Sequence, residues 1–204
     1  MEEISRDCYE IFKDYFKNSR IFSNDNEIRE FAINRAIKNF EDANLYLEFG
    51  VYKGDSINLF GKNLKKINAS IHGFDSFKGL KDEWLTDKYH PSGTFDVQGK
   101  KPKVFSNVTL IEGWVEDTLD NFLNSQSNKK INFIHLDMDT YKSTAFVLKK
   151  LKKNFSKGTI ILFDEYYGFP NWEKYEFKAL QETLNKNEYK YIAFGTRQAC
   201  IEIS

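Results

Sequence analysis

From Leu45 onward the chain alternates short apolar runs with longer amphipathic stretches, and each of the first five runs ends at or beside a carboxylate: Glu48, Asp75, Glu112, Asp137 and Asp164. The runs fall at 45–49, 70–75, 107–111, 131–137, 159–164, 190–195 and 198–203, with helical spacing at 54–67, 116–124, 142–154 and 173–187. This alternation predicts an α/β fold: a doubly wound, Rossmann-like sheet of seven strands, mostly parallel, with helices on both faces. The last two runs are joined by the tight Gly195-Thr196-Arg197 turn, which predicts an antiparallel hairpin at one edge. Such sheets take ligands outside the carboxyl ends of their strands. The five acids therefore mark the edge where chemistry is expected.

Residues 1–42 read differently. Cys8, Phe12 and Tyr15 recur at helical spacing, as do Ile28, Phe31, Ala32 and Ala36, which predicts a helical cap in front of a core at 43–204. A chain of 204 residues suits one hydrophobic core, so the whole is read as a single domain. Lys and Arg number 30 against 30 Asp and Glu. That balance speaks against a surface built to grip nucleic acid or an anionic membrane, and it leaves a small molecule as the expected partner. A homo-oligomer is compatible with this reading. Cys8 and Cys200 lack CxxC or metal-ligand spacing and are expected as reduced thiols. The acidic N-terminus has no apolar run, which makes a cytoplasmic location the default. The segment 81–106 carries Trp84, His90 and Phe95 without clear periodicity. It is long enough to cover an active site rather than merely to connect.

The first run leads into Glu48-Phe49-Gly50-Val51-Tyr52-Lys53-Gly54, a strand that turns on glycines into a helix. A dinucleotide-binding turn has G-x-G-x-x-G, so that a pyrophosphate can approach the backbone. Tyr52 stands where a middle glycine would fall, which favours a phosphate-free ligand. Glu48 suits an ammonium group. Asp75, at the end of the next strand, suits the two hydroxyls of a ribose. An amine and a ribose together describe S-adenosylmethionine. Trp114 offers its face to the adenine, and Glu116 or Asp117 is available to the exocyclic amine. The cofactor set is Glu48, Gly50, Tyr52, Gly54, Ser56, Asp75, Ser76, Gly113, Trp114, Glu116 and Asp137. The competing reading is that the glycines serve only a turn and that Trp114 is core.

The fourth and fifth runs end in His135-Leu136-Asp137-Met138-Asp139 and Asp164-Glu165-Tyr166-Tyr167. Adjacent parallel strands lie about 4.8 Å apart, so acids at neighbouring ends can share a cation, and without one they repel. Oxygen donors without cysteine or paired histidine favour Mg²⁺ over Ca²⁺ or Mn²⁺. Such an ion would hold an acceptor oxygen in line with the methyl group. Asp137 then acts through the ion, and the general base is one of His135, Asp139 or His90, with Asp139 the nearest proton acceptor. The bland reading makes these acids caps around a polar cleft and makes His135 a strand residue facing its neighbours.

The stretches LEFGVYKGDS, HGFDSFKGLKDEW, GTFDV, LIEGWVEDTL, FIHLDMDTYKST and LFDEYYGFPNWEKYEFKAL, in that order, resemble the TylF/MycF type of methyltransferase, named for macrocin O-methyltransferase. The resemblance spans about residues 45–184. It implies a class I methyltransferase fold and Mg²⁺-dependent O-methylation of a sugar hydroxyl, with Asp137, Asp164 and Glu165 as metal ligands. The antibiotic enzymes of that family carry two adjacent aspartates where this chain has Asp164-Glu165, and they are longer. Short proteins of this type imply a deoxysugar or nucleotide-sugar acceptor from bacterial polysaccharide synthesis. Tyr166, Tyr167 and Trp172 are candidates to stack on the sugar. The alternatives are methylation of a catechol, amine or phosphoramidate, a non-catalytic cofactor-binding module, and a nicotinamide dehydrogenase. Tyr52 and the lack of a Tyr-x-x-x-Lys pair weigh against the last.

Overall fold

The computed structural model describes residues 2–39, 44–126 and 129–204, so the expected boundary at 42/43 lies outside the described residues. The helices are α1 (Glu2–Phe16), α2 (Asp25–Asn39), α3 (Asp55–Leu64), α4 (Val115–Ser125), α5 (Tyr141–Leu151) and α6 (Glu176–Thr183). The strands are β1 (Arg20–Ile21), β2 (Leu45–Phe49), β3 (Ile71–Asp75), β4 (Trp84–Leu85), β5 (Tyr89–His90), β6 (Val108–Glu112), β7 (Ile131–Leu136), β8 (Ile160–Phe163), β9 (Tyr189–Phe194) and β10 (Ala199–Ile203). Eight of them form one sheet in the order β1-β9-β10-β8-β7-β2-β3-β6. Only β10 runs antiparallel to its neighbours, β8 and β9. All seven expected strands are present within one residue of their expected ends. The eighth, β1, pairs parallel with β9 through two residues, too few to show any periodicity. Residues 81–106 contain the β4–β5 hairpin, also too short to read from sequence.

Strands β2, β7, β8 and β10 are buried along their whole length, as strands covered on both faces must be. Side-chain alternation divides the core. Leu45, Leu47, Phe49, Ile134 and Leu136 share one cluster with Leu148 of α5 and Leu180 of α6. Tyr46 and Phe133 point the other way, to Ile28, Ala32, Ile57 and Phe60 of α2 and α3. Helix α2, expected as part of a cap, is thus a layer of the fold. Helix α1 inserts Phe12 among the rings of Tyr166, Trp172, Phe177 and Phe194. Burying that ring is worth about 2 kcal/mol. Tyr166 and Trp172 are therefore core, not sugar platforms. Cys8 and Cys200 are buried and free. Among the described residues no helix is long and apolar enough to cross a membrane.

At the carboxyl edge each loop is tied to the neighbouring strand. Gly113 N–H donates to Asp75 O, Gly50 N–H to Phe74 O, Asp137 N–H to Phe49 O and Asp164 N–H to Leu136 O, at 2.8–3.0 Å. The strand-end acids stand along one rim because these bonds fix their backbones there.

Candidate active site

A cavity of about 260 Å³ opens at that rim. Its wall includes Gly50, Tyr52, Asp75, Ser76, Gly113, Trp114, Glu116, Asp137, Asp139 and Glu165. The expected cofactor and acid residues thus meet around one space, drawn from the ends of β2, β3, β6, β7 and β8. The same wall holds Trp84 and Phe95 of the 81–106 segment, and residues that motif reading missed: Phe74, Leu80, Lys81, Val115, Met138, Thr140 and Ser143. Most of these follow a strand end by a few positions, and that proximity was the available signal.

The glycine turn is built by backbone. Gly50 has φ 91°, and a Cβ there would sit 1.8 Å from the Asp137 carbonyl oxygen. Only glycine allows the β2 and β7 ends to meet so closely. Asp75 accepts three backbone bonds: Val51 N–H at 2.8 Å, Tyr52 N–H at 2.7 Å and Phe77 N–H at 2.7 Å. The acid expected to hold a ribose is therefore also the brace of the glycine turn, and it lines the cavity with about one acceptor site unused. Lys81 pairs with Glu116 at 3.0 Å and lies 5.5 Å over the Trp114 ring, steadying the indole expected under the adenine.

Glu48 stands apart from this wall. It is fully buried, and its Oε1 accepts from Ser56 Oγ at 2.5 Å and meets His135 Nδ1 at 2.9 Å. Alternation sends Glu48 to the α2–α3 face beside Tyr46, and it is not among the residues of the cavity wall; its Oε2 is buried without a partner. Ser56 serves Glu48, and Gly54 is the left-handed residue that starts α3; neither lines the cavity. His135 is corrected as a base for the same reason. It is fully buried, with Nδ1 on Glu48 and Nε2 on Asp164 Oδ1 at 3.1 Å, which leaves no nitrogen for a substrate proton. Burial opposes a charged ring, but the bonds to Asp164 and Glu48 outweigh it and lift the His135 pKa to about 9. His90 stacks on Trp84 at 4.9 Å and is not among the residues of the wall.

The acids form a dense group. Oxygens of Asp137 and Asp164 and a His135 ring nitrogen lie within 4.8 Å of one another. Asp164 Oδ1 receives Arg29 Nη2 at 2.7 Å and Gln198 Nε2 at 2.5 Å besides His135. Burial alone would raise Asp164, yet His135 and Arg29 hold it well below the usual carboxylate range. The others go the opposite way. Burial, then the Asp164 charge, raises Asp137; burial, then Glu165 and Asp164, raises Asp139. Burial pushes Glu165 up to about 7 against the pull of Arg197, which lies 3.3 Å from it. Glu176 of α6, unmarked by any motif, is fully buried. Its Oε2 accepts the Glu165 N–H at 3.1 Å, while Oε1 has no partner. Asp139 sits in the left-handed region at φ 60°, a costly conformation of the kind that clusters at functional sites. Arg29, Arg197, Gln198 and Glu176 escaped sequence reasoning because each meets the acids only through the fold.

Comparison with known proteins agrees with this geometry. Residues 47–166, more than half of the chain, match the family described as "Methyltransferase domain". No curated protein sequence matches. A crystal structure of the calicheamicin methyltransferase CalS11 aligns with TM-score 0.72 and 23% identity over 87% of this chain and 78% of that one. The O-methyltransferase NovP aligns with TM-score 0.67 and 18% identity over 88% and 79%. At such identities these likenesses speak for the fold, which is that of class I methyltransferases. The family match and the cofactor-edge geometry together identify the chain as a member of the methyltransferase-domain family and an S-adenosylmethionine-dependent methyltransferase.

Proposed function

We propose that the protein is a TylF/MycF-type enzyme that transfers the sulfonium methyl of S-adenosylmethionine to a hydroxyl of a sugar or sugar-bearing small molecule, with Mg²⁺ assisting. The observation that carries this reading is a single cavity with the glycine turn and Asp75 at one end and Asp137, Asp139 and Glu165 at the other. The apo structure of CalS11 is described as that of a TDP-rhamnose 3′-O-methyltransferase; it aligns with TM-score 0.64 and 21% identity over 87% of this chain and 78% of that one. That likeness favours a sugar hydroxyl.

The residues present fit a hard divalent cation. Asp137 and Asp164 bring carboxylate oxygens within 4.8 Å of one another, with His135 as the third member of that group, and the buried Oε2 of Glu48 and Oε1 of Glu176 have no partner. Glu48, Asp137, Asp139, Asp164, Glu165 and Glu176 face Arg29, His135 and Arg197, so the cluster is short of positive charge when ionised. Asp137 and Asp164 would hold the ion, with Glu165, which lies outside that close group and pairs with Arg197, as the third ligand the family resemblance implies; when bound the ion would polarise the acceptor hydroxyl and lower its pKa. Asp139 lines the cavity and takes the hydroxyl proton. Leu80, Trp84 and Phe95 give the wall an apolar stretch. A second reading, transfer without metal, draws on the two arginines already seated on Asp164 and Glu165.

Calorimetric titration of S-adenosylhomocysteine with and without Mg²⁺, and again with EDTA, tests the cofactor end. Turnover of a nucleotide-sugar panel under the same three conditions tests the acid end. Binding in all three, with turnover lost only in EDTA, is expected. Absence of binding throughout would sink the reading, and turnover unaffected by EDTA would leave the metal-free alternative.

A further inference from the structure

Arg29 belongs to α2, is separated from Asp164 by 135 positions, and places Nη2 2.7 Å from Asp164 Oδ1. Both side chains are only 15% exposed. Ligand oxygens of Asp164 and Asp137 lie within 4.8 Å of one another, so the guanidinium seated on Asp164 adjoins the pair. The hydrogen bonding around it is incomplete: Nη1 reaches Asn26 Oδ1 at 3.4 Å, and Nε is buried without a partner. Its contact with Asp164 runs through one nitrogen.

Resting on the metal-assisted reading above, we propose that Arg29 is the built-in counter-ion of the Asp137–Asp164 pair and holds down the affinity of the protein alone for a divalent cation. A fixed positive charge in this buried place repels an incoming ion with little screening. Gln198 and His135 share Asp164 Oδ1 with Arg29, so the carboxylate stays oriented while its charge is partly spent. Tight metal binding then waits for further oxygen donors, which an acceptor with adjacent hydroxyls supplies. Binding of ion and acceptor becomes mutually dependent.

The test is Mn²⁺ titration followed by electron paramagnetic resonance on the full chain with S-adenosylhomocysteine present, comparing wild type, Arg29→Gln, Arg29→Lys and Asp164→Asn. The proposal expects R29Q to bind Mn²⁺ at least tenfold more tightly than wild type, R29K to match wild type within threefold, and D164N to bind more weakly. If R29Q does not fold, Arg29→Met, which keeps the apolar stem, replaces it with the same expectation. R29Q binding equally or more weakly overturns the proposal and makes Arg29 a support for the ligand geometry. R29K binding as tightly as R29Q overturns it as well, because the charge would then not be the cause. Absence of Mn²⁺ binding by every variant, with or without a nucleotide-sugar acceptor, overturns the metal reading itself.

Discussion

The two ends of the cavity are held by different forces. At the cofactor end, Gly50 fits against the Asp137 carbonyl and Asp75 collects the amides of Val51, Tyr52 and Phe77. At the acid end, Asp137, Asp139 and Glu165 are raised by burial and by one another, and only Asp164 is fully compensated. The first end is complete before a ligand arrives, because backbone amides already paired with the Asp75 carboxylate need nothing further. The second is conditional, because buried like charges require protons or a cation. A preorganised end and a conditional end are thus separated within one rim.

Four changes would break or sharpen that contrast, beginning with the largest. Gly50→Ala drives a methyl into the Asp137 carbonyl at a positive φ; it should cost more than about 4 kcal/mol of stability, read as lost cooperative unfolding in urea. Wild-type-like unfolding would mean that the two strand ends are not locked by contact. Asp75→Ala strips the brace from three amides. We expect about 2–3 kcal/mol of destabilisation and at least tenfold weaker S-adenosylhomocysteine binding by calorimetry; unchanged affinity would remove Asp75 from the cofactor end.

The acid end should reveal itself through pH. Glu165 is raised from the ordinary carboxylate range to about 7 and His135 from 6.5 to about 9. A group whose folded pKa is raised binds more protons in the folded state, so its contribution is present below the unfolded pKa and is lost as pH rises through the folded one. Both groups therefore lower stability over the window from about pH 5 to pH 9, with Glu165 acting in the lower half and His135 in the upper. The Tm should fall by more than about 10 °C across it, and excess Mg²⁺ should flatten the slope. A Tm that rises with pH would contradict the charge-built view. The smallest effect belongs to Lys81→Met. Its pair with Glu116 is partly exposed and worth little, so cofactor affinity should drop less than about fivefold. A larger loss would show that the Trp114 face depends on that cation.

Much of the architecture was legible in the chain because it depends on local pattern. Strands β2 and β7 announce themselves as apolar runs, and the Gly50–Gly54 turn and the five strand-end acids follow from where those runs stop. Parity within β2 also held the clue that Glu48 faces α3, since it lies two residues from Tyr46. Nothing local marks β1, whose two residues are a strand only because β9 is beside them. The same holds for the β4–β5 hairpin.

What the sequence determined by itself is the alternation of elements and the chemistry collected at the strand ends, since both are periodic properties of neighbouring residues. What only the tertiary structure decided is the state of those groups. Arg29 on Asp164, Arg197 on Glu165 and the amide of Glu165 on Glu176 join positions far apart in the chain. Charge, burial and hydrogen bonding act through space, so the ionisation of an acid is set by whatever the fold brings beside it.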